Sequence, residues 1–510
     1  MIRQAVRSLL RAPAFSAAVV FTIALGIGAN TAVFGLIHSV LIDPLPYREP
    51  ERLVQVAGRH PEFPFFQVAA PDYFGWRRMS SSFEDMAAHT FQAMNQTTLL
   101  GHGEPERVQA TQASHQLFPM LGVRFLHGRA FTAGEEAKQL PVVLLGESLW
   151  RRKFSADPSI VGQTIRLQRW TFTVAGIVSK QHAYPTWADI WMPLSFLEPQ
   201  LRDLRRFHTL EVIARLKPGV TVQQAHAEMQ GIAGNLAKSY PETNRSIGAA
   251  VLPLASSVTG EVRPALLISW AAVSLVLLLA CGNVAHLVMI RSVSRSQEMA
   301  VRAALGANTI QLMRILLTEN SILALAGGAL GVLLAGLLLP LLGKFAADDI
   351  PRLDSLALTP ITLLFAGMAA TFCALLFAMQ AVFHARKLDL QQTIKQSSGL
   401  SVSHRRSLFG GAIIAAEIAL AFVVITGAGL LYRSIAALLM EDTGFNARGV
   451  LAMEVPLAAR DWERSAAMFE HQLAPRIREI PGVTSVAAAN CAPMALSSTE
   501  QGRYTTRFGV

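Results

Sequence analysis

Five long stretches of uncharged sequence decide what this chain can become. Between Arg11 and Asp43 lie 31 residues without Asp, Glu, Lys or Arg; between Arg263 and Arg291 lie 27, between Glu319 and Lys344 24, and between Asp354 and Arg386 31. A fifth stretch, Ser407 to Tyr432, is interrupted only by Glu417. A hydrocarbon core of about 30 Å needs about 20 apolar helical residues, so each stretch is long enough to span a membrane. The first also outruns the roughly 7–15 apolar residues of a cleaved signal peptide. Charged residues make up only 16% of the 510-residue chain, against about 25% in soluble domains, which excludes a disordered chain, a collagen and a soluble coiled coil. Three cysteines are too few for a disulfide framework or a multi-cysteine zinc scaffold. Cys281 and Cys373 sit inside apolar runs and read as small hydrophobes.

The charges between the stretches set an expected orientation. With the N-terminus in the cytoplasm, residues 1–11, 291–318 and 384–408 share that side. They carry twelve Lys or Arg and two acids, Glu298 and Asp389, a surplus of ten that equals the whole formal net charge of +10. This one-sided excess is the positive-inside pattern, and it leaves no basic patch for nucleic acid.

The chain divides accordingly. Residues 1–12 form an arm with Arg3, Arg7 and Arg11 on one helical face and Ile2, Val6, Leu9 and Leu10 towards another, an interfacial helix feeding the first span, 13–42. Residues 43–263 form an extracytoplasmic domain large enough for a core of its own. Residues 264–385 hold three spans, at about 265–290, 320–343 and 359–383, with a cytoplasmic loop, 291–318. A linker, 386–408, leads to a fifth span, 409–433, and residues 434–510 begin a further extracytoplasmic region. In the large domain, Leu53–Val56, Pro141–Leu145 and Leu210–Leu216 read as strands, and Thr164–Val178 alternates as two strands. Thr221 to Tyr240 reads as an amphipathic helix with a Thr221/Gln224 capping box and Met229, Ile232 and Leu236 on one face. The expected fold is an α-helical polytopic membrane protein of five spans with a large α+β extracytoplasmic domain.

Motifs for catalysis are missing from this sequence. It has no phosphate-binding G-x-x-x-x-G-K-[ST] and no H-E-x-x-H, and Gly146-Glu147-Ser148 lacks the second glycine of a nucleophile elbow, so Ser148 reads as a helix-start residue. Gly327, Gly331 and Ala335 give the third span a small-residue face for close helix packing. Two places remain. In the loop, Ser294 with Gln297 makes a capping box, Glu298 and Arg302 pair at i,i+4, and Gly306 is a C-cap glycine, so a short helix lies between the second and third spans. It either rests on lipid headgroups or docks a cytoplasmic partner. The other is Glu417, an intramembrane carboxylate that either hydrogen-bonds a neighbouring helix or takes part in coupling; Asn283 is the second intramembrane polar residue of interest.

The series Leu279-Ala-Cys-Gly-Asn-Val-Ala-His-Leu287, Arg295-Ser-Gln-Glu-Met-Ala-Val-Arg-Ala-Ala-Leu-Gly-Ala307 and Leu316-Leu-Thr-Glu319 resembles the FtsX-like permease domain of the MacB type of ABC transporter. Gly26-Ile-Gly-Ala-Asn-Thr-Ala-Val-Phe34 with Pro44-Leu-Pro-Tyr47 is similar to the first span of that family. Leu121-Gly-Val-Arg124, Gly128-Arg-Ala-Phe131, Gly162-Gln-Thr-Ile165, Trp191-Met-Pro-Leu194 and Ala214–Val220 look like its periplasmic core domain. Ala415–Leu420, Gly427–Tyr432, Asp442–Phe445 and Ile480–Val483 resemble the start of a second copy, as in duplicated permeases of acidobacterial type, here incomplete at Val510.

The resemblance implies a non-catalytic permease subunit in a bacterial inner membrane, with its large domain periplasmic. It would turn ATP hydrolysis by a separate cytoplasmic ABC ATPase into periplasmic movement, for efflux or extraction of a substrate. It makes the loop helix a coupling helix, with Glu298, Arg302, Leu305 and Gly306 as the matching residues, and implies no cofactor in the chain itself. It also implies a dimeric or pseudo-dimeric permease, contact with membrane lipid, a periplasmic adaptor as a further partner, and no nucleic acid. The alternatives are a membrane-anchored sensor or scaffold without transport, and an ion-coupled carrier using Glu417.

Overall fold

A computed structural model describes residues 2–62, 65–91, 96–101, 103–168, 170–260, 262–294, 309–346, 358–385, 404–441, 450–451, 453 and 467–488. The chain forms two compact units, one of residues 1–43 with 259–444 and the other of residues 44–258 with 445–510.

In the first unit, five helices among the described residues are long and apolar enough to cross a membrane. They are a first span, Pro13–Ile37, prolonged by a π-turn, His38–Ile42, then a second, Arg263–Ser294, a third, Thr309–Ala346, a fourth, Pro360–Ala385, and a fifth, His404–Met440. The first span is the centre of a four-helix bundle, touching the second, third and fourth. Lipid is as apolar as leucine, so helices gain little by hiding apolar surface from each other and must gain by close fit. The glycines provide that fit. A Cβ on Gly28 would lie 3.0 Å from the Gly331 carbonyl oxygen, and one on Gly327 would lie 2.7 Å from Ile23 Cβ. Ala335 is fully buried beside Ala32 and Leu339. The small-residue face read in the third span is therefore the face that receives the first.

The arm is a helix, Ile2–Leu10. Ala5 and Leu9 are buried, whereas Val6 and Leu10 are exposed, because the arm lies against the third and first spans along one narrow line. Arg3, Arg7 and Arg11 remain exposed.

The second unit is an α+β domain around one sheet system that has twelve strands among the described residues. Its strands are β1 (Leu53–Arg59), β2 (Val68–Ala69), β3 (Phe83–Thr90), β4 (Gln96–Leu100), β5 (Glu106–Ala113), β6 (Phe125–Gly128), β7 (Val142–Gly146), β8 (Thr164–Leu167), β9 (Trp170–Val178), β10 (Ile190–Pro193), β11 (His208–Leu216) and β12 (Gly248–Pro253). Two lobes result. In one, β3-β11-β1-β12 form an antiparallel sheet. The helices Ala70–Met79 and Val222–Ser239 cover it, burying Tyr73, Trp76, Met229 and Ile232 against Val54, Val212 and Val251. The second of these helices starts on the expected capping box: the Gln224 amide donates to Thr221 Oγ1 at 3.2 Å, and the Thr221 amide to Gln224 Oε1 at 2.9 Å.

In the other lobe, β10-β7-β9-β8-β4-β5 close into a ring through the parallel pairing of β5 with β10. The ring encloses Val143, Leu145, Ile165, Phe172, Val174 and Ile190. Each such side chain removed from water contributes about 1.5–3 kcal/mol, so this domain, unlike the membrane bundle, is held by hydrophobic burial. Two of the buried charged groups, Asp72 and Arg215, are paired. Asp72, 3% exposed, meets Arg205 and accepts from Asn244 Nδ2 at 2.9 Å, and Arg215 donates to the carbonyl oxygens of Arg48 and Met120.

Beyond the fifth span, Phe469–Leu473 and Ala474–Arg478 form a short helical segment. It ends in a turn in which the Val483 amide donates to the Ile480 carbonyl and Gly482 takes a positive φ of 95°. Asp442–Phe445 lies outside the described residues.

Candidate functional site: polar contacts among the spans

The expected coupling residues Glu298, Arg302, Leu305 and Gly306 fall in 295–308, outside the described residues. The second span stands before them. In its last turn Arg291 donates to the Ser8 carbonyl at 2.9 Å and to Ser8 Oγ at 3.2 Å, with its guanidinium 4.4 Å from the ring centre of Phe15. A cation suits a helix C-terminus, and a cation over an aromatic face adds about 0.5–1 kcal/mol or more. Arg291 thereby ties the stem of the loop to the arm and to the entry of the first span.

Glu417 lies against the second span. His286 Nδ1 is 3.3 Å from Glu417 Oε1 and 3.2 Å from Oε2. Gly282, one turn before His286 and on the same face, supplies the space: a Cβ there would overlap Oε1 and lie 2.9 Å from the glutamate Cγ. A lone carboxylate at a span centre costs about 2.5–3.5 kcal/mol on insertion scales, so a polar partner at this distance matters. Asn283 is exposed on the second span and takes no part in this contact.

Two polar sites were not singled out by sequence reasoning. Asn30, 2% exposed, donates to the Gly26 carbonyl at 2.9 Å and across to the Val273 carbonyl of the second span at 2.7 Å. Ser274 Oγ donates to Asn30 Oδ1 at 3.2 Å, completing the join. The available signal was a side-chain amide in the middle of a charge-free run. The other is His286, one of 13 scattered histidines, whose partner lies 131 residues away. In addition, Asn320 Nδ2 donates to the Phe377 carbonyl at 3.4 Å, joining the third and fourth spans. Cys281 and Cys373 meet at 3.4 Å, buried as expected of small hydrophobes.

Outside the membrane the perturbed groups have structural causes. Arg129, with the Thr132 cap, holds Glu135 down to about 2. Burial pushes Tyr73 up to about 12 and lowers His89, whose Nε2 is 3.5 Å from Glu211. Ser148 is exposed in the first turn of the helix Glu147–Phe154, as a helix-start residue. No group of three His, Cys, Asp or Glu able to hold a metal occurs among the described residues.

Comparison with known proteins gives the geometry its context. Residues 16–232 match the model of the MacB-like periplasmic core domain, and residues 270–390 that of the FtsX-like permease C-terminal domain. The macrolide export ATP-binding/permease protein MacB of Salmonella paratyphi A is 23% identical over 289 residues, 55% of this chain and 42% of the relative. Its counterpart in Burkholderia pseudomallei is 24% identical over 224 residues, 43% of this chain and 33% of the relative. The match thus spans less than half the length of these curated relatives. Among solved structures, the periplasmic region of MacB from Actinobacillus actinomycetemcomitans shares 14% identity with a TM-score of 0.33, covering 42% of this chain and 92% of that one.

Proposed function

Because the chain belongs to the MacB/FtsX-type permeases of ABC transporters, we propose that it works by mechanotransmission, converting ATP hydrolysis by a separate cytoplasmic ATPase into movement of its extracytoplasmic domain. The observation that carries the reading is the order of two matched domains around one bundle. The periplasmic-core match, 16–232, runs from the first span into the domain that precedes the second span, and the second and third spans, which flank the 295–308 loop, both pack on the first. A push on the loop enters the second span, which Arg291 ties to the arm and to Phe15. The first and second spans are also the two helices that lead into and out of the extracytoplasmic domain.

In this reading the loop helix is the coupling helix, with Glu298, Arg302, Leu305 and Gly306 facing the ATPase. The N-terminus and the loop are cytoplasmic, and the large domain lies in the periplasm, as the one-sided charge supports. ATP acts through the partner ATPase that an ABC-type permease implies. The work done is efflux or extraction of a substrate, and the fifth span begins a second permease half.

The test is cross-linking from the loop to candidate ATPases, with ATP turnover and periplasmic activity measured at equal membrane abundance. Gly306→Pro is expected to abolish transmission without removing the protein from the membrane, since proline cannot take the left-handed conformation of a C-cap. Glu298→Ala removes a pair worth only about 0.2–0.5 kcal/mol, yet is expected to uncouple turnover from periplasmic activity. Wild-type behaviour of both variants together with no cross-linked ATPase would sink the proposal.

A further inference from the structure

The second span carries a notch of matched parts. Gly282 removes the side chain that would collide with Glu417, and His286, one turn on, places a ring nitrogen 3.2 Å from the same carboxylate. The two features converge on one group from a helix far away in sequence. Among the described residues, nothing comparable holds the fifth span elsewhere. None of its most apolar stretch is buried, and Gly411, Gly427 and Gly429 each face open space.

An apolar helix in lipid has little reason to prefer one neighbour over another, whereas a helix bearing a carboxylate does, if one neighbour offers room and a hydrogen-bonding partner. The space is shaped for a carboxylate on an incoming helix. A larger residue at 282 would exclude it, and an apolar residue at 417 would leave the histidine without its partner.

We propose that the Gly282–His286 notch is a recognition site for a carboxylate-bearing transmembrane helix, filled in this chain by Glu417, and that it selects the fifth span as the fixed neighbour of the second. The pairing stands on geometry alone. That the fifth span then follows the second span's motion rests on the permease reading above.

Pulsed electron–electron resonance on the full chain in lipid nanodiscs tests the pairing without any ATPase. Spin labels go at the lipid-exposed Leu267 and Leu430, with Cys281, Cys373 and Cys491 replaced by alanine and the labelled chain diluted in unlabelled chain. The parent and Glu417→Gln, which keeps a hydrogen-bonding group, are expected to give one narrow distance distribution. Glu417→Leu and Gly282→Leu, which break the contact from opposite helices, are expected to broaden it at least twofold. The exchange His286→Glu with Glu417→His should restore the narrow form. A Glu417→Leu distribution as narrow as the parent's overturns the proposal, and so does an exchange as broad as Glu417→Leu. Either result leaves the transport reading standing, because no step of the measurement uses turnover.

Discussion

The first and fifth spans look alike as sequences, yet the structure treats them in opposite ways. Both are long and glycine-bearing. The first has 56% of its most apolar stretch buried, the fifth none. Gly26, Gly28 and Gly35 each meet atoms of a neighbouring helix, whereas Gly411, Gly427 and Gly429 meet nothing. The first is joined to the second span by a neutral amide, Asn30, and the fifth by an ionisable pair, His286 and Glu417. A small residue in a span is thus only a possibility of close packing. Whether it is used depends on a neighbour with a complementary face, as Gly331 and Gly327 are for the first span.

The sharpest way to break this comparison is to make one substitution in both spans. Gly28→Leu forces a side chain against the Gly331 carbonyl and Leu334. Overpacking of this kind costs about 1–3 kcal/mol, so thermal stability of the chain in detergent should fall clearly. Gly427→Leu enters open space and is expected to stay within about 0.5 kcal/mol of the parent. Equal losses would mean that the fifth span is as tightly held as the first.

A smaller effect is expected at Asn30. Asn30→Leu removes the hydrogen bonds to Val273 and Ser274, and such interhelical bonds are worth about 0.6 kcal/mol on average, with about 1.7 as the upper end. Combined with Ser274→Ala, it should cost little more than alone, which a double-mutant cycle measures. Additive losses would place the two groups in separate interactions.

The smallest effect reaches the extracytoplasmic domain, where burial by sheet and helix replaces burial by other spans. His89 is fully buried, and desolvation holds its pKa below the usual value in spite of Glu211. The folded state therefore prefers the neutral ring. This stability is complete above the unfolded value near 6.5 and is lost as pH falls through the folded one. The melting temperature of this domain should fall between pH 7 and 5, and His89→Leu should flatten part of that slope. His182 and His208, lowered mainly by burial as well, keep the remainder. An unchanged slope in the variant would remove His89 from the account.

How much of this was legible beforehand follows from the range of each interaction. The five spans were, because absence of charge is a local property. The Thr221 capping box and the Gly327–Gly331–Ala335 face were, because their spacing sits within one helix. Glu417 stood out as a charge in an apolar run, but its partner did not, since nothing local marks His286 among the other histidines. Asn30 carries no charge and drew no notice. The arm's contact with the first and third spans through Ala5 and Leu9 was not legible, because hydrophobicity alone does not say which line of a helix a neighbour will cover. Closure of the ring was also invisible, since β7–β9 and β5–β10 are parallel pairs whose register no turn specifies.

That ring has a consequence for the order in which the domain can form. All six of its strands lie between Gln96 and Pro193, whereas the other lobe needs Leu53 opposite Arg215 and Val54 opposite Pro253. Joining such distant partners means closing a loop of most of the domain, a cost that is met before the pairing repays it. A ring completed first shortens that loop to the width of its own ends. As the chain crosses the membrane, β1 must therefore wait for the last strands of the domain, and the ring is the part able to fold while it waits.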